Sequence, residues 1–255
     1  MVQLTILTLS EYGKWTHTLG VDREYALQML QASIYGLSQR LFSGKGGLVF
    51  QARSDQMFAI TNMISIKEHV EIHEEIISKF PIFMDMTIAY DKSPLKANEI
   101  AFNSSTLYPL SEYGHIRGIT GFDNDSVYLI HIDIEGVTEI SAKQSCFDVH
   151  SLIQRIHHKI TEFFQQRNSL AFYMGGDNFI IVSDELAQQH ANEFVDYAKS
   201  VLGISVNCGI GIGNTARKAV MLATASLDEI REQRKQKDNY SHVFCLQHSK
   251  LKTVN

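Results

Sequence analysis

The sequence predicts an α+β fold made of two tandem repeats, and three observations lead to that prediction. The order strand, helix, hairpin, helix, strand, helix occurs twice along the chain. A tight polar turn falls at the same point of each repeat, at residues 53–56 (Arg-Ser-Asp-Gln) and 175–178 (Gly-Gly-Asp-Asn). The composition, with 44% hydrophobic and 20% charged residues, is ordinary for a globular protein and is ample to bury a core.

The first repeat begins with a strand. The apolar run Val2–Leu9 predicts this strand, and the pattern that follows predicts a helix over Arg23–Leu41. Two β-rich runs within residues 47–61 meet at the first polar turn and predict a hairpin. After a second helix, a strand over Phe83–Ala89 leads through residues 93–97 into the last helix of this half.

The second repeat has the same elements in the same order. A strand over Val127–Ile132 precedes a helix over Val149–Phe164, and residues 170–182 predict a hairpin around the second polar turn. Ser205–Ile212 predicts the closing strand, which runs into a helix near Thr215.

This order is that of the ferredoxin-like fold, in which an antiparallel sheet has helices on one face. We therefore predict a gene duplication with a first repeat over residues 1–115 and a second over 126–250, and a boundary near residues 114–125. The alternative is a single α/β domain whose two halves agree by chance.

Charge and hydropathy argue against several functions. A net charge of −5 without a Lys/Arg block argues against binding long nucleic acid. The N-terminal apolar run has no basic leader, and no stretch approaches 18 apolar residues, so we expect neither a signal peptide nor a membrane span. The three cysteines, Cys146, Cys208 and Cys245, have no zinc-ligand spacing and are expected to be reduced core residues of a cytoplasmic protein.

The most informative feature is Asp133 together with the turn 175–178. In the predicted fold the strand before Asp133 is central and lies beside the hairpin, so Asp133 and Asp177 can converge. Two carboxylates on neighbouring strands suit Mg²⁺ or Mn²⁺, which can bridge to substrate phosphates. Glycines at the turn allow a positive φ and a close approach of a ligand. The plain alternative is a hairpin with ordinary turn chemistry. His131 faces either the open side of the sheet or the core.

Three other segments have parts of known motifs without matching them. The glycines of residues 209–213 lack the dinucleotide-binding spacing and predict a buried strand that a helix approaches closely. Residues 43–47 are not a P-loop and predict a turn. His69 and His73 share one helical face without the zinc-protease order, and they predict an exposed helix surface.

Basic residues follow the last predicted strand. One or two of them are expected to reach phosphate, and the rest to form a solvated helix face. They are Arg217, Lys218, Arg231, Arg234 and Lys235.

Through several segments of its sequence, the chain resembles the archaeal-type GTP cyclohydrolases, often called GTP cyclohydrolase III. The resemblance covers nearly the whole chain, and a looser one extends to GGDEF-type cyclases and polymerase palms. The segments that show it are residues 12–16, 22–24, 53–56, 131–134, 175–179 and 209–213.

The resemblance implies a Mg²⁺-dependent enzyme that opens the imidazole ring of GTP at C8. The product retains the formyl group and a single phosphate, and phosphate is released. A homo-oligomer is also expected. Asp133, Asp177 and Asn178 would be catalytic, with Asp133 and Asp177 holding metal. The residues expected to contact the nucleotide are Gly175, Gly176, Ile134, Glu135 and Arg231.

The first repeat departs from the family pattern. Ser10-Glu11 stands where family members often have an Asp, and Lys14 replaces a Pro. Glu11, with Asp55 as its hairpin partner, is therefore a candidate second metal pair; alternatively, the first repeat contributes to base recognition or assembly. Two other functions stay open at this point: a palm-type nucleotidyl cyclase or signalling-nucleotide synthase, and a non-catalytic GTP-binding regulator.

Overall fold

The computed structural model describes residues 1–107, 114–121, 125–236 and 240–248. Contacts between residues divide the chain into two compact units, the first built on Met1–Lys92 and the second on Ser126–Asn214. The repeat limits 1–115 and 126–250 stay a prediction. Residues 108–113, 237–239 and 249–250 of these repeats, and 122–124 of the expected boundary, lie outside the described part.

The first unit follows the predicted order of elements, with one short helix and one strand in addition. In chain order its elements are β1 (Val2–Ser10), α1 (Tyr12–His17), α2 (Arg23–Gly44), β2 (Leu48–Arg53), β3 (Gln56–Ile60), α3 (Ile66–Lys79), β4 (Phe83–Asp91), α4 (Pro94–Leu107) and β5 (Ile116–Gly118).

The second unit repeats this order. Its elements are β6 (Val127–Ile134), α5 (Val137–Ser141), α6 (Cys146–Gln165), β7 (Leu170–Gly175), β8 (Asn178–Ser183), α7 (Ala187–Tyr197) with a π-helical turn over Ala198–Leu202, β9 (Val206–Gly213), α8 (Ala216–Gln236) and β10 (Val243–Gln247).

Each unit contains one five-stranded sheet, and the strand order is the same in both. The orders are β2-β3-β1-β4-β5 and β7-β8-β6-β9-β10. The first four strands of each are antiparallel, which is the ferredoxin-like arrangement predicted from the sequence. The edge strands β5 and β10 each pair in parallel with their neighbour and were not predicted. The α+β fold is confirmed, with mixed rather than purely antiparallel sheets.

Helices cover both faces of each sheet, so the expectation of helices on one face was wrong. Successive residues of a strand point to opposite faces. In β9, Val206, Cys208 and Ile210 pack in a core with residues of α6 and α7. The residues between them face α8 instead. In β1, Leu7 and Leu9 pack with α2 and α3 in the same way, while Ile6 and Thr8 line a cavity with side chains of α4.

The glycines of β9 allow α8 to approach the sheet closely. A Cβ atom on Gly209 would lie 2.2 Å from the carbonyl oxygen of Ala223, and one on Gly211 would lie 1.9 Å from that of Ala219. No side chain fits at these separations, so the close packing of α8 against β9 requires glycine at both positions. The prediction of a buried strand with a closely packed helix is confirmed.

The prediction of an exposed face at His69 and His73 was wrong, since the two side chains are 0% and 7% exposed. His69 Nε2 lies 2.9 Å from Thr5 Oγ1 and His73 Nε2 lies 2.8 Å from the Met84 carbonyl oxygen. Burial lowers the pKa of His69 to about 4. These rings are satisfied by partners distant in the chain, which helical spacing does not reveal.

In the described part of the chain, no helix has both the length and the apolar character needed to cross a bilayer.

Candidate active site

Three polar residues form a row across the middle of the second sheet. Asp133, near the end of β6, lies directly opposite Asn178 on β8 and Asn207 on β9. Directly opposite residues of antiparallel strands project to the same face, with Cβ atoms about 4.5–5.5 Å apart. Because Ile132 and Ile134 belong to the core on the other face, the row lies on the face that α8 covers.

The tight turn of the β7–β8 hairpin brings Asp177 next to this row. Gly175 and Gly176 have φ values of 106° and 62°, which side chains rarely adopt. A Cβ on Gly175 would meet nothing within 4 Å, so the backbone conformation, and not crowding, requires glycine there. The N–H of Ile134 donates to the carbonyl oxygen of Asp177 at 3.2 Å and ties the turn to the end of β6. The Asp177 carboxylate lies close enough to Asp133 for its charge to raise the pKa of Asp133.

A chain of hydrogen bonds orients the Asp177 carboxylate. Asn178 Nδ2 donates to Asp177 Oδ1 at 2.6 Å, and since a carboxylate only accepts, the amide oxygen of Asn178 must face the other way. That oxygen lies 2.9 Å from His131 Nε2, which therefore carries a proton and donates. His131 Nδ1 lies 3.2 Å from Thr224 Oγ1.

The protonation state of His131 completes this chain. Burial lowers the pKa of His131 more than the hydrogen bond to Asn178 raises it, so the ring is neutral at pH 7. Neutral Nδ1 accepts from the Thr224 hydroxyl, and all three donors then point toward Asp177. His131 therefore faces the polar side of the sheet and not the core, and it is half-buried under α8.

Asp133 is held in a less favourable environment. Its side chain is 17% exposed, and Arg231 Nη2 of α8 lies 3.2 Å from its Oδ1. Burial raises the pKa of Asp133, the Arg231 charge lowers it and the Asp177 charge raises it again, with a net pKa above the ordinary value. Arg231 also pairs with Asp228 at 2.9 Å. The predicted nucleotide contact Arg231 thus lies beside the candidate metal ligand.

Glu135 is engaged by four groups of its own unit. Its two oxygens accept hydrogen bonds from the side chains of Ser205 (2.5 Å), Asn207 (2.9 Å), Arg234 (2.9 Å) and Tyr240 (2.8 Å). Burial raises the pKa of Glu135, but these hydrogen bonds lower it further, to about 2. The arrangement joins the end of β6 to β9 and α8, which is a structural role.

Ile134, the other predicted contact on this strand, is 3% exposed and its side chain lies in the core. Only its backbone is on the side of the turn. A contact between Ile134 and a nucleotide would therefore be made by the main chain.

The donor set fits a hard divalent cation. Among the described residues, no group of three or more His, Cys, Asp and Glu side chains is placed to hold a metal ion. Mg²⁺, however, is usually bound by one or two carboxylates together with water and substrate phosphates. Asp133 and Asp177 supply two carboxylates, and their mutual repulsion is the condition that a bound cation relieves.

The first unit differs at each corresponding position. By strand register, Thr8 on β1 corresponds to Asp133, since Thr8 lies opposite Gln56 on β3 and Asp85 on β4. The Leu9 N–H donates to the Asp55 carbonyl oxygen at 2.8 Å, as Ile134 does to Asp177, so Asp55 corresponds to Asp177.

Glu11 lies beyond the end of β1 and does not correspond to Asp133. It precedes α1 with φ 54°, as Gly136 precedes α5 with φ 81°. Its carboxylate pairs with Lys14 at 2.7 Å, and that of Asp55 pairs with Arg53 at 2.9 Å. Each of these carboxylates thus has a basic partner of its own, and metal binding by Glu11 and Asp55 stays a prediction.

Sequence reasoning missed Thr224 and Asn207. Asn207 alternates with the core residues of β9, so strand periodicity places it on the face of Asp133 once that face is known. Thr224 precedes Arg231 by seven positions, a spacing that puts two residues on one face of a helix. Neither signal identifies its residue until the register of the sheet is known.

Comparison with known proteins gives a consistent result. A sequence model of the family described as GTP cyclohydrolase III matches residues 1–243. The protein named GTP cyclohydrolase III from Methanobrevibacter smithii is 30% identical over 240 residues, covering 91% of this chain and 94% of its own. The proteins of the same name from Methanothermobacter thermautotrophicus and Methanocaldococcus jannaschii are 31% and 30% identical over 236 and 237 residues. They too cover 91% of this chain, and 95% and 88% of their own.

Similarity to solved structures is weak. A sensory box/GGDEF family protein from Caulobacter crescentus superimposes with a TM-score of 0.36 at 19% identity, covering 42% of this chain and 80% of that one. This score is too low to bear on fold or function.

Proposed function

The chain belongs to the GTP cyclohydrolase III family, and from that membership we propose that Asp133 and Asp177 of its second repeat support metal-dependent opening of the imidazole ring of GTP. Water adds at C8, the bond from C8 to N9 breaks, and the formyl group stays on N7. Two further waters hydrolyse the two phosphoanhydride bonds and release two phosphates, so that the product is 2-amino-5-formylamino-6-ribosylamino-4(3H)-pyrimidinone 5′-monophosphate. The observation that supports this site most directly is the pairing of Asp133 with Asn178 beside an oriented Asp177.

The residues of the site would have two roles, metal binding and orientation of the metal ligand. Asp133 and Asp177 would hold Mg²⁺ or Mn²⁺, which when bound neutralises charge on phosphate oxygens and positions water. Asn178, His131 and Thr224 fix the rotamer of Asp177, so that its free oxygen points in one direction before substrate binds.

The turn and α8 would contact the triphosphate. Gly175 and Gly176 leave the backbone of the turn open to a ligand, with nothing within 4 Å of a Cβ on Gly175. Arg231 already neutralises Asp133 and would turn toward phosphate oxygens once a cation takes over that role. Oriented donors of this kind stabilise developing negative charge without reorganisation.

The test is incubation of the purified chain with GTP and Mg²⁺ while guanine absorbance and released phosphate are followed together. We expect both signals, and we expect Asp177→Asn to reduce both by at least about a hundredfold, since a metal ligand is removed. Asp196→Asn is the matched control, because Asp196 is an exposed residue of α7 on the other side of the sheet. Full turnover by Asp177→Asn would refute the site.

The same experiment separates the other functions. A nucleotidyl cyclase would release pyrophosphate with guanine absorbance unchanged. A non-catalytic GTP-binding regulator would give neither signal.

We also propose that the protein is a cytoplasmic homo-oligomer. The three cysteines are free thiols, as expected in a reducing compartment, although only Cys208 is buried and the prediction of three core cysteines was wrong, since Cys146 is exposed. Tyr25 and Met29, one turn apart on α2, are 67% and 55% exposed, and such adjacent apolar side chains favour a second copy over water. Light scattering coupled to size exclusion tests the assembly, and a single mass near 28.9 kDa at all concentrations would contradict it.

A further inference from the structure

The first unit contains a cavity on the same sheet face that holds the candidate active site in the second. Its volume is about 260 Å³, and β1, β3, β4, β5 and α4 all contribute to its walls. The polar side chains that line it include Thr8, Gln56, Asp85 and Arg117.

By register, the polar floor of this cavity corresponds to the row Asp133, Asn178 and Asn207. Thr8, Gln56 and Asp85 are directly opposite one another across β1, β3 and β4. The row has lost the carboxylate of the central strand and gained one on β4. The glycines of the active-site hairpin are replaced by Arg53 and Ser54 in the corresponding turn. These changes remove the features that suit a metal-bound triphosphate.

Asp85 keeps free acceptor capacity that points to a ligand with N–H groups. Oδ2 accepts from the Ser10 hydroxyl, and Oδ1 lies 2.9 Å from His115 Nδ1. Burial raises the pKa of Asp85, but these hydrogen bonds and the nearby charges of His115 and Arg117 lower it further, so the group is ionised at pH 7. An ionised carboxylate accepts about four hydrogen bonds, so about two positions remain.

The remaining walls are partly apolar and include two aromatic rings. Ile6, Phe58, Met86 and Phe102 line the cavity together with the polar side chains of Thr87 and Asn98. Phe102, on α4, lines the cavity and is 64% exposed. Arg117 adds a planar cation at the same cavity, suited to a carbonyl oxygen or ring nitrogen.

The volume limits the size of the ligand. Pockets for drug-sized ligands measure about 300–1,000 Å³. A cavity of about 260 Å³ lies just below that range, so it suits a base or a nucleoside better than a nucleoside triphosphate.

We propose that this cavity binds a planar heteroaromatic base with two adjacent N–H donors and a carbonyl, the pattern of a guanine nucleoside without its phosphates. The two N–H groups would donate to Asp85, the carbonyl would accept from Arg117, and the ring would lie against Phe58 and Phe102. Guanine presents this pattern, whereas adenine has no carbonyl and a single exocyclic donor on the corresponding edge. The first repeat is then a nucleoside site separate from the metal site of the second.

The test is calorimetric titration of the full chain with guanosine in EDTA, where metal-dependent binding of a triphosphate does not contribute. Asp85→Asn and Phe102→Ala should each weaken binding by at least about tenfold, through a lost charged acceptor and a lost aromatic wall. Phe147→Ala is the control for Phe102→Ala, since Phe147 is 76% exposed and belongs to α6 of the second unit. Adenosine should bind at least about tenfold more weakly than guanosine.

Asp177→Asn separates this proposal from the proposed function. We expect Asp177→Asn to bind guanosine like the unmodified chain while losing ring opening, and Phe102→Ala to keep ring opening while losing guanosine. Guanosine binding that survives both Asp85→Asn and Phe102→Ala, or that is lost in Asp177→Asn alone, would overturn the nucleoside site. So would the absence of saturable binding. Because Phe102 is exposed, its variant tests the site even if Asp85→Asn fails to fold.

Discussion

Replacing Glu135 by Gln should lower stability and leave the chemistry largely intact. The ionised carboxylate accepts hydrogen bonds from four side chains, and Gln keeps a single acceptor oxygen and presents an N–H₂ group to donors. A pKa lowered from 4.5 to about 2 sets an upper limit of about 3.4 kcal/mol, at about 1.36 kcal/mol for each pKa unit. The group is partly open to solvent, so screening reduces the expected loss to about 1–2 kcal/mol.

The stabilisation that Glu135 provides should depend on pH. Because the folded-state pKa of Glu135 is below its unfolded value, its contribution is complete above pH 4.5 and is lost as pH falls toward 2. Urea unfolding at several pH values should therefore show the largest difference between the unmodified chain and Glu135→Gln near neutral pH. The difference should shrink across the window from 4.5 to about 2.

Glu139→Gln is the matched control, since Glu139 is an exposed residue of the neighbouring helix α5. An unfolding midpoint in Glu135→Gln equal to that of the control would refute the structural role. A KM for GTP raised at least about tenfold at unchanged stability would instead show that Glu135 contacts substrate, as the sequence predicts.

Substitutions at four further positions test the packing, the hydrogen-bond chain and the candidate metal ligand Asp133. Gly211→Ala should destabilise the protein by about 3 kcal/mol or more, measured by urea unfolding, because its Cβ would overlap a backbone carbonyl of α8. Gly36→Ala, at a helical position with open space, should stabilise by about 0.5–1 kcal/mol. Thr224→Val should lower kcat about tenfold at unchanged melting temperature, and Thr224→Ser should restore it, because the hydroxyl orients His131. Activity should also fall when the pH is lowered, but only as the pH passes through the pKa of His131, which lies below 6.5. Asp133→Asn should abolish ring opening and yet raise the free energy of unfolding near neutral pH, since the pKa of Asp133 is raised in the folded chain and its ionised form destabilises the fold.

Other outcomes would contradict these expectations. A Gly211→Ala protein as stable as Gly36→Ala would mean that α8 does not pack against the sheet as described. Equal kcat in Thr224→Val would remove the donor chain from the account of the site. A loss of stability in Asp133→Asn would mean that the ion pair with Arg231 outweighs burial and repulsion.

Local signals were enough to predict most of the fold. The two hairpins were predicted because β-rich runs meet at tight polar turns, and in the second turn Gly175 and Gly176 have positive φ. The role of Gly209 and Gly211 followed from spacing alone, since glycines on one face of a strand indicate a close helix. The edge strand Ile116–Gly118 escaped prediction because three residues have no measurable periodicity.

The candidate site was only partly predictable, for a different reason. Asp133 and Asp177 stand out in the sequence because each ends or joins a strand. The groups that orient them do not, because their positions depend on which residues of β6, β8 and α8 become neighbours. Thr224 lies 93 positions from His131 in sequence, and only the fold brings the two within 3.2 Å.

The difference between the repeats is best explained by register, and not by counting carboxylates. In the sequence, Glu11 looks like the counterpart of Asp133. In the structure, however, β1 continues to Ser10, and Glu11 lies at the start of a helix. Its φ of 54° is positive, like that of Gly136, which precedes the corresponding helix. The position of Asp133 is taken by Thr8, which offers no charge to a cation. One repeat can therefore keep a pair of carboxylates under mutual repulsion, while the other, with the same strand order, has moved its carboxylate to β4 and satisfied half of its acceptors. The same sheet face then suits a metal-bound phosphate in one unit and an N–H-bearing base in the other.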